Sequence, residues 1–355
     1  MCISRPVALD SVFQALDSND VCWCLLRPEP SHEKGDDVDL LVAASDLRRV
    51  HQLLNAVGFA RIPAWGHASH VFFVGYDAPS DRWVHLDIVS ELAFGPSFTV
   101  KTAAAGHCLR RRERTEGAWT LHPDDGFWTL LLHNLLDKQA LQAKHRDRLR
   151  SLAGSASTDN PLARELDGFA APESRAARLL DCARAGDWQQ LEVFAAGLVS
   201  TWIGRHRLKA ASAFVEMRLA RKMSHLFSPL LRHGFSVALI GLDTADKTTI
   251  ATSLEASLPV PVRRTDLRVV GWIYQSAGRI VILDRFAVRP KPDLTLLFDS
   301  PPEPLHERRT EEARTRGLRR SAVVDASRDP NVVRRDVLAL IWSAYCRDQR
   351  GSPAS

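Results

Sequence analysis

The middle of the chain differs from both of its flanks, and this contrast limits the folds available to it. From about 121 to 233, apolar residues recur at helical spacing almost throughout. Short apolar runs typical of strands occur before and after this block, where they alternate with helical segments. Such alternation favours sheets covered by helices. The sequence therefore predicts an α/β protein in three segments: a small mixed-sheet domain at 1–110, a helical segment at 111–233 and a parallel-sheet domain at 234–355.

Composition and charge narrow the class of protein. Of the 355 residues, 45% are hydrophobic and 25% are charged, values that are ordinary for a globular protein. The net charge of +5 fits a protein that handles phosphates, although a mixed charged surface gives the same value. The basic stretches lack interleaved aromatic residues, so nucleic acid is not expected as the main partner. We expect a cytoplasmic protein without a membrane segment, because no apolar run or signal-peptide pattern is evident.

Carboxylates stand inside a run that is otherwise typical of a buried strand, Asp37-Val-Asp39-Leu-Leu-Val. Residues two apart on a strand point to the same face. The apolar strand at 83–89 carries a third carboxylate, Asp87. Three carboxylates on neighbouring strands repel one another unless they share a cation, and oxygen ligands suit Mg²⁺. A loop-to-strand junction also favours Asp, but a buried strand seldom carries an unpaired carboxylate. Asp37, Asp39 and Asp87 are therefore predicted as metal ligands and catalytic residues.

Residues 8–90 resemble an uncharacterised branch of the nucleotidyltransferase superfamily. The features that carry the resemblance are the Asp37-Val-Asp39 motif and Asp87. The resemblance implies Mg²⁺-dependent transfer of a nucleotidyl group from ATP or another NTP to a hydroxyl group. It also implies that the three carboxylates hold metal and orient the acceptor, with Asp87 as the candidate general base.

Two further segments bear on this resemblance. The superfamily usually has a Gly-Ser pair that holds the phosphates, where this chain has Arg27, which is the candidate substitute. The basic segment at 144–147 looks similar to one on a downstream helix of the same branch, and it is a candidate phosphate contact, with a solvated helix face as the alternative.

His133 lies on an apolar helix, and we expect it to pack in the core.

An altered phosphate-binding loop follows the apolar strand at 236–240. Gly241, Lys247 and Thr248 match the pattern Gly-x4-Gly-Lys-Ser/Thr between a strand and a helix. Asp246 replaces the second glycine and brings a negative charge to the phosphates. At ~5 Å and an effective dielectric constant of ~20, one such charge pair costs about 3 kcal/mol. This loop is therefore predicted to bind nucleotide weakly unless Mg²⁺ or the lysine offsets the charge.

Residues 236–345 resemble the thymidylate kinase family. The likeness includes Asp243 in the loop and the pair Asp284-Arg285 at the end of a strand. The resemblance implies a P-loop kinase-like fold, shortened between Lys247 and Asp284, where that family has its acceptor site. It also implies a set of residues that contact the nucleotide: Gly241, Asp243, Lys247, Thr248, Asp284 and Arg285.

Three functions are compatible with these patterns. The first is nucleotidyl transfer from an NTP to a small-molecule or sugar hydroxyl in a bacterial biosynthetic pathway, and it is favoured because all three carboxylates are present. The second is an ATP-dependent kinase of the thymidylate kinase type, whose front domain would bind the acceptor. The third is a non-catalytic adaptor, supported by the missing Gly-Ser pair and by Asp246. The sequence does not indicate the oligomeric state.

Overall fold

The structure is a computed structural model that describes residues 5–27, 37–62, 69–231, 234–240, 244–265, 274–275, 279–283, 292–299 and 320–349. Its main elements are a mixed sheet, a block of helices and a separate all-parallel sheet, in that order along the chain. The α/β class predicted from the sequence is thereby confirmed. Among the described residues, no helix is both long and apolar enough to cross a membrane.

The first sheet has seven strands, of both orientations. The short strands β6 and β7 pair only with each other, in a separate two-stranded sheet. The strands of both sheets are β1 (Trp23–Leu25), β2 (Val38–Val42), β3 (Phe59–Ile62), β4 (Val71–Asp77), β5 (Arg82–Val89), β6 (Ala93–Phe94), β7 (Val100–Lys101), β8 (Glu113–Thr115) and β9 (Ala118–Thr120). The order is β3-β4-β5-β2-β1-β9-β8. Strand β2 is antiparallel to β1 but parallel to β5. Strands β8 and β9 belong to this sheet although they follow residue 110, where the sequence predicts the end of the first domain.

Helices α1 (Val7–Asp17) and α2 (Leu47–Ala56) cover one face of this sheet. Helix α1 buries apolar residues at helical spacing, and they share a core with Leu40 of β2. The helical spacing of apolar residues from Leu47 predicts a helix capped by Ser45. In the structure, a single 3-10 turn, Ala44–Asp46, precedes α2. The tight turn brings the chain from the end of β2 directly onto the sheet.

The helical segment covers the opposite face. Its helices, after α3 (Ala105–Arg111), are α4 (Pro123–Leu132), a π-helix (His133–Lys138), α5 (Ala143–Ala153), α6 (Pro161–Asp167), α7 (Ala176–Ala185), α8 (Trp188–Arg205) and α9 (Arg207–Leu231). Leu41 packs with these helices, whereas Leu40 packs with α1. Because side chains alternate along a strand, Asp39 lies on the face of Leu41, toward the helical segment.

The second sheet is parallel throughout, with the order β11-β12-β10-β13-β14. Its elements are β10 (Phe235–Ile240), α10 (Thr244–Ser257), β11 (Val262–Thr265), β12 (Ile280–Leu283), β13 (Leu294–Asp299), β14 (Ser321–Asp325) and α11 (Pro330–Gln349). The apolar runs at 236–240, 279–284, 293–299 and 322–325 predict four of these strands, and no such run predicts β11. The central strand β10 is fully buried, as expected for a strand covered on both faces.

Helix α11 connects the second sheet with the first. Trp342 Nε1 donates a hydrogen bond to the carbonyl oxygen of Gly58 at 3.0 Å. Its ring meets that of Trp83 edge to face, at 4.8 Å between centroids. Trp83 Nε1 in turn donates to the carbonyl oxygen of Ser257 at 2.7 Å. The contact uses the β3–β4–β5 end of the face that also carries Asp39 and Asp87, and the helical segment packs on the β1–β2 part of the same face.

Candidate active site

The structure brings two of the three predicted carboxylates side by side. Asp39 of β2 and Asp87 of β5 are register partners on adjacent parallel strands, and each residue is 8% exposed. Asp37 lies just before β2 and is exposed. All three line a cavity of about 990 Å³ between the first sheet and the helical segment. The in-register pairing follows from the parallel arrangement, because equivalent side chains of paired strands share one face.

Arg27 is the immediate partner of Asp39. Its Nε donates a hydrogen bond to Asp39 Oδ2 at 2.8 Å, and its Nη2 donates to the same oxygen. Burial raises the pKa of Asp39, the Arg27 guanidinium partly offsets this rise, and the charge of Asp87 adds to it. The predicted site residue Arg27 is therefore in the cavity, but it neutralises a carboxylate there.

His70 is the partner of Asp87, and sequence reasoning missed it. Its Nδ1 lies 2.9 Å from Oδ1 and 2.8 Å from Oδ2 of Asp87. His70 immediately precedes β4, which pairs antiparallel with β5. The contact depends on that pairing, and a histidine next to a strand carries no local signal of it. Each buried carboxylate of the site thus has its own cationic or hydrogen-bonding partner.

The π-helix carries a second missed group into the cavity. His133 Nε2 lies 3.0 Å from Arg27 Nη1, and His133 Nδ1 lies 2.8 Å from Asp137 Oδ2. An arginine can only donate, so Nε2 must accept and Nδ1 must carry the proton toward Asp137. Asp137 Oδ1 accepts from the backbone N–H of Gly95 at 2.5 Å. The expectation that His133 packs in the core is wrong, because its ring belongs to a polar chain that ends at Asp39. Single π-helical turns occur frequently at functional sites.

Cations and a hydroxyl group also face the cavity. Lys138 and Lys144 line it, and neither forms an ion pair with any described residue. The buried Oγ1 of Thr129, one helical turn before His133, has no hydrogen-bond partner in the described part of the chain. Unsatisfied buried polar groups are rare in native proteins. These groups are therefore available to a bound anion or a polar ligand.

The pKa of His145 indicates a positive potential on this side of the cavity. Burial, together with the charges of Lys144 and Arg27, lowers the pKa of His145 to about 4. Its Nδ1 lies 3.1 Å from Asn134 Oδ1. Of the predicted basic segment at 144–147, Lys144 and His145 line the cavity, whereas Arg146 pairs with Glu192.

The low pKa of His145 predicts a pH-dependent stability. Native His145 stays neutral, whereas in the unfolded chain it takes up a proton below its ordinary value of 6.5. Its contribution is therefore fully present above pH 6.5 and is lost as the pH falls toward 4. Between pH 6.5 and 5.5, we expect wild type to lose ~1 kcal/mol more unfolding free energy than His145→Gln. Urea denaturation at the two pH values measures this difference, and parallel losses in both proteins would contradict it.

The predicted residues of the P-loop domain lie in the last third of the chain. Among the described residues, those that line the cavity all precede residue 234. Lys247 and Thr248 lie in the first turns of α10. The others lie outside the described residues: Gly241, Asp243, Asp284 and Arg285.

The donor set suits Mg²⁺ by its chemistry, since Asp37, Asp39 and Asp87 offer carboxylate oxygens alone. Among the described residues, however, no three His, Cys, Asp or Glu side chains are gathered closely enough to hold a metal ion. Arg27 donates to Oδ2 of Asp39, and His70 contacts both oxygens of Asp87. A cation bound at Oδ2 of Asp39 would displace Arg27, and the adjacent phosphates of a nucleotide would give the guanidinium a new partner.

Comparisons of the chain with models of protein families, with curated proteins and with solved structures found no match. The functional assignment therefore depends on the geometry of the cavity. A buried carboxylate pair, two lysines without a described ion pair and a buried hydroxyl group face one space. This combination suits a ligand that carries phosphates together with a divalent cation.

Proposed function

We propose that this protein is a Mg²⁺-dependent nucleotidyltransferase, which transfers a nucleotidyl group from ATP or another NTP to a hydroxyl group of a small molecule or sugar. One observation carries the proposal. Asp39 and Asp87 are in register on parallel strands, in the wall of a cavity that Lys138 and Lys144 also line. Carboxylates and lysines in one cavity provide for both the cation and the phosphates of a metal–nucleotide complex.

The carboxylates and the lysines of the cavity have separate roles in the proposed reaction. Asp37, Asp39 and Asp87 would hold Mg²⁺, which when bound supplies positive charge against the phosphate oxygens. Lys138 and Lys144 bind the phosphates of the leaving group. The acceptor oxygen attacks the α-phosphorus, the bond from that phosphorus to the β-phosphate oxygen breaks, and pyrophosphate leaves. The proton of the acceptor hydroxyl passes to Asp87, acting as general base.

Two positioning contacts support this chemistry. His70 touches both oxygens of Asp87 and fixes the orientation of that carboxylate. The pair His133 and Asp137 holds Arg27 beside Asp39, from where the guanidinium can turn to a phosphate. Residues held in place by neighbours lose less freedom when the substrate binds, which favours reaction.

A kinase is the second candidate function, and one observation favours it. Strand β10, the central strand of the parallel sheet, ends at Ile240, and α10 begins at Thr244 with Lys247 in its first turns. This strand-to-helix connection is the context that a phosphate-binding loop requires. The replacement of the second glycine by Asp246 argues against strong nucleotide binding there.

Calorimetric titration of Mg²⁺–ATP into three proteins separates the candidates: wild type, Asp37→Asn/Asp39→Asn and Lys247→Ala. We expect the aspartate variant to bind at least tenfold more weakly, because it loses two cation ligands, and the lysine variant to bind as wild type does. Transfer of the α-phosphate would then be followed with labelled nucleotide.

The opposite pattern identifies the kinase. Binding lost in Lys247→Ala alone would place the nucleotide on the P-loop domain, and transfer of the γ-phosphate would be assayed instead. Failure of wild type to bind ATP, GTP, CTP and UTP would reject both enzymes and favour the adaptor.

A further inference from the structure

Part of the cavity wall is built of rings and a thioether. Phe98 and His70 both line the cavity, and their ring centroids are 4.8 Å apart with the planes tilted by 42°. Helix α9 packs against the turn that contains Phe98 and adds Phe214 and Met217 to the same cavity. The side chains at this wall therefore come from both the first domain and the helical segment. Flat, polarisable groups of this kind provide stacking surfaces for a planar ligand.

The turn that presents Phe98 has an unfavourable backbone. Ser97 and Phe98 have φ angles of 61° and 53°, in the left-handed region that favours glycine. A positive φ is a clear outlier for a residue as bulky as Phe98. Such conformations persist where the surroundings enforce them, and they cluster at ligand-binding sites.

Contacts from the helical segment enforce this conformation. Gly95 N–H donates to Asp137 at 2.5 Å, just before the strained residues. Just after them, the buried Nε1 of Trp202 donates to Thr99 Oγ1 at 3.0 Å. The turn is thus anchored at both ends, and Phe98 is fixed beside His70. A ring held in this way loses little freedom when a ligand stacks on it.

Phe214 is 53% exposed, although it lines the cavity. An exposed Phe side chain contributes little to folding, since its burial is what would stabilise the protein. Contact with a ligand would bury it. Because Phe214 belongs to α9, this helix contributes a side chain to the cavity wall.

We propose that these side chains form a ring subsite, defined by His70, Phe98, Phe214 and Met217, which binds the base of the nucleotide. This inference rests on the proposed function. His70 links the subsite to the chemistry, because its ring contacts Phe98 while its Nδ1 contacts Asp87. A ligand lying along this wall offers a flat ring beside His70, a reacting phosphate at the carboxylates and further phosphates at the lysines. A nucleoside triphosphate has these three parts, and 990 Å³ accommodates a ligand of that size.

Three probes test the ring subsite by calorimetry: ATP with Mg²⁺, inorganic tripolyphosphate with Mg²⁺, and adenosine alone. Each is titrated into wild type, Phe214→Ala and the control Leu208→Ala, whose side chain is 89% exposed on the same helix and does not line the cavity. We expect Phe214→Ala to bind ATP and adenosine about tenfold more weakly, the effect of one lost stacking contact. Its affinity for tripolyphosphate should equal that of wild type, and Leu208→Ala should match wild type with all three probes.

The three probes separate failure of the subsite from failure of the proposed function. Unchanged ATP affinity in Phe214→Ala would overturn the ring subsite while leaving nucleotidyl transfer standing. An equal loss of ATP and tripolyphosphate would also overturn it, because the phenylalanine would then act through the fold. Adenosine binding that depends on Phe214, without any binding of tripolyphosphate, would support the ring subsite and count against the proposed phosphate site. Failure of wild type to bind any of the three probes would overturn both.

Discussion

Replacing Asp39 and Asp87 together by asparagine is expected to weaken the binding of Mn²⁺ by about 100-fold or more. Loss of a group that merely orients a metal ligand already lowers affinity ten- to hundredfold, and this variant removes two carboxylates themselves. Mn²⁺ stands in for Mg²⁺ because both prefer oxygen ligands and free Mn²⁺ is measured directly by electron paramagnetic resonance. The titration is made at pH 7.5 without nucleotide, because ATP itself binds Mn²⁺, with circular dichroism as the check on folding.

The matched control is Arg27→Met, which removes the cation and leaves both carboxylates in place. Arg27 donates to Asp39 from two nitrogens, so it competes with any metal for that side chain. Without nucleotide, Arg27→Met should therefore bind Mn²⁺ more tightly than wild type, by about tenfold for a lost competing interaction of ~1.4 kcal/mol. Opposite changes in the two variants identify the aspartates as metal ligands. Equal losses would show instead that the Arg27–Asp39 pair serves the fold.

The strand at the centre of the site is predictable from the sequence. Val38–Val42 reads as a buried strand because all its residues but one are apolar, and the structure has β2 over those residues. The neighbouring position of Asp87 also follows, because a second apolar strand carries a carboxylate and short sheets place such strands together. Local pattern is sufficient here because both signals lie within single strands.

The partners of these carboxylates are not predictable in the same way. His70 reaches Asp87 through the pairing of β4 with β5, and His133 reaches Arg27 from a distant helix. The π-helical turn lacks a glycine or proline that would mark it in the sequence. Gly95-Pro96 marks a turn before Phe98, but it does not predict the positive φ of Phe98 itself. Short strands such as β11 were missed because four residues carry too little periodicity. Each of these features depends on contacts between segments that are distant in the sequence.

A buried ionic cluster holds the start of α4, the helix that brings Thr129 to the cavity. Asp125 is fully buried, and its Oδ1 accepts from Arg111 Nη1 at 3.2 Å and from Asn160 Nδ2 at 2.6 Å. Asp124 accepts from the same two side chains, at 3.2 and 3.0 Å. Carboxylates in the first turn of a helix also interact favourably with its dipole. Arg111 is therefore the cation on which two buried charges depend.

Arg111→Met is expected to lower the free energy of unfolding by about 3 kcal/mol. Methionine retains most of the apolar stem but leaves two buried carboxylates without their cation, and breaking a buried pair in this way costs roughly 3–5 kcal/mol. The lower end applies because the Arg111 side chain is 34% exposed, so water screens part of the interaction. Urea denaturation followed by circular dichroism measures the change.

Arg114→Met provides the comparison on the same part of the chain. Arg114 pairs with Asp17 at 3.1 Å, but its side chain is 52% exposed, and such surface pairs contribute less than about 1 kcal/mol. The two variants remove the same charge from neighbouring arginines and differ in the burial of the partner. A large loss in Arg111→Met alone would therefore assign the effect to the buried carboxylates. Equal small losses would show that Asn160, with His107 Nε2 3.7 Å from Asp125 Oδ1, is sufficient to hold the two carboxylates without Arg111.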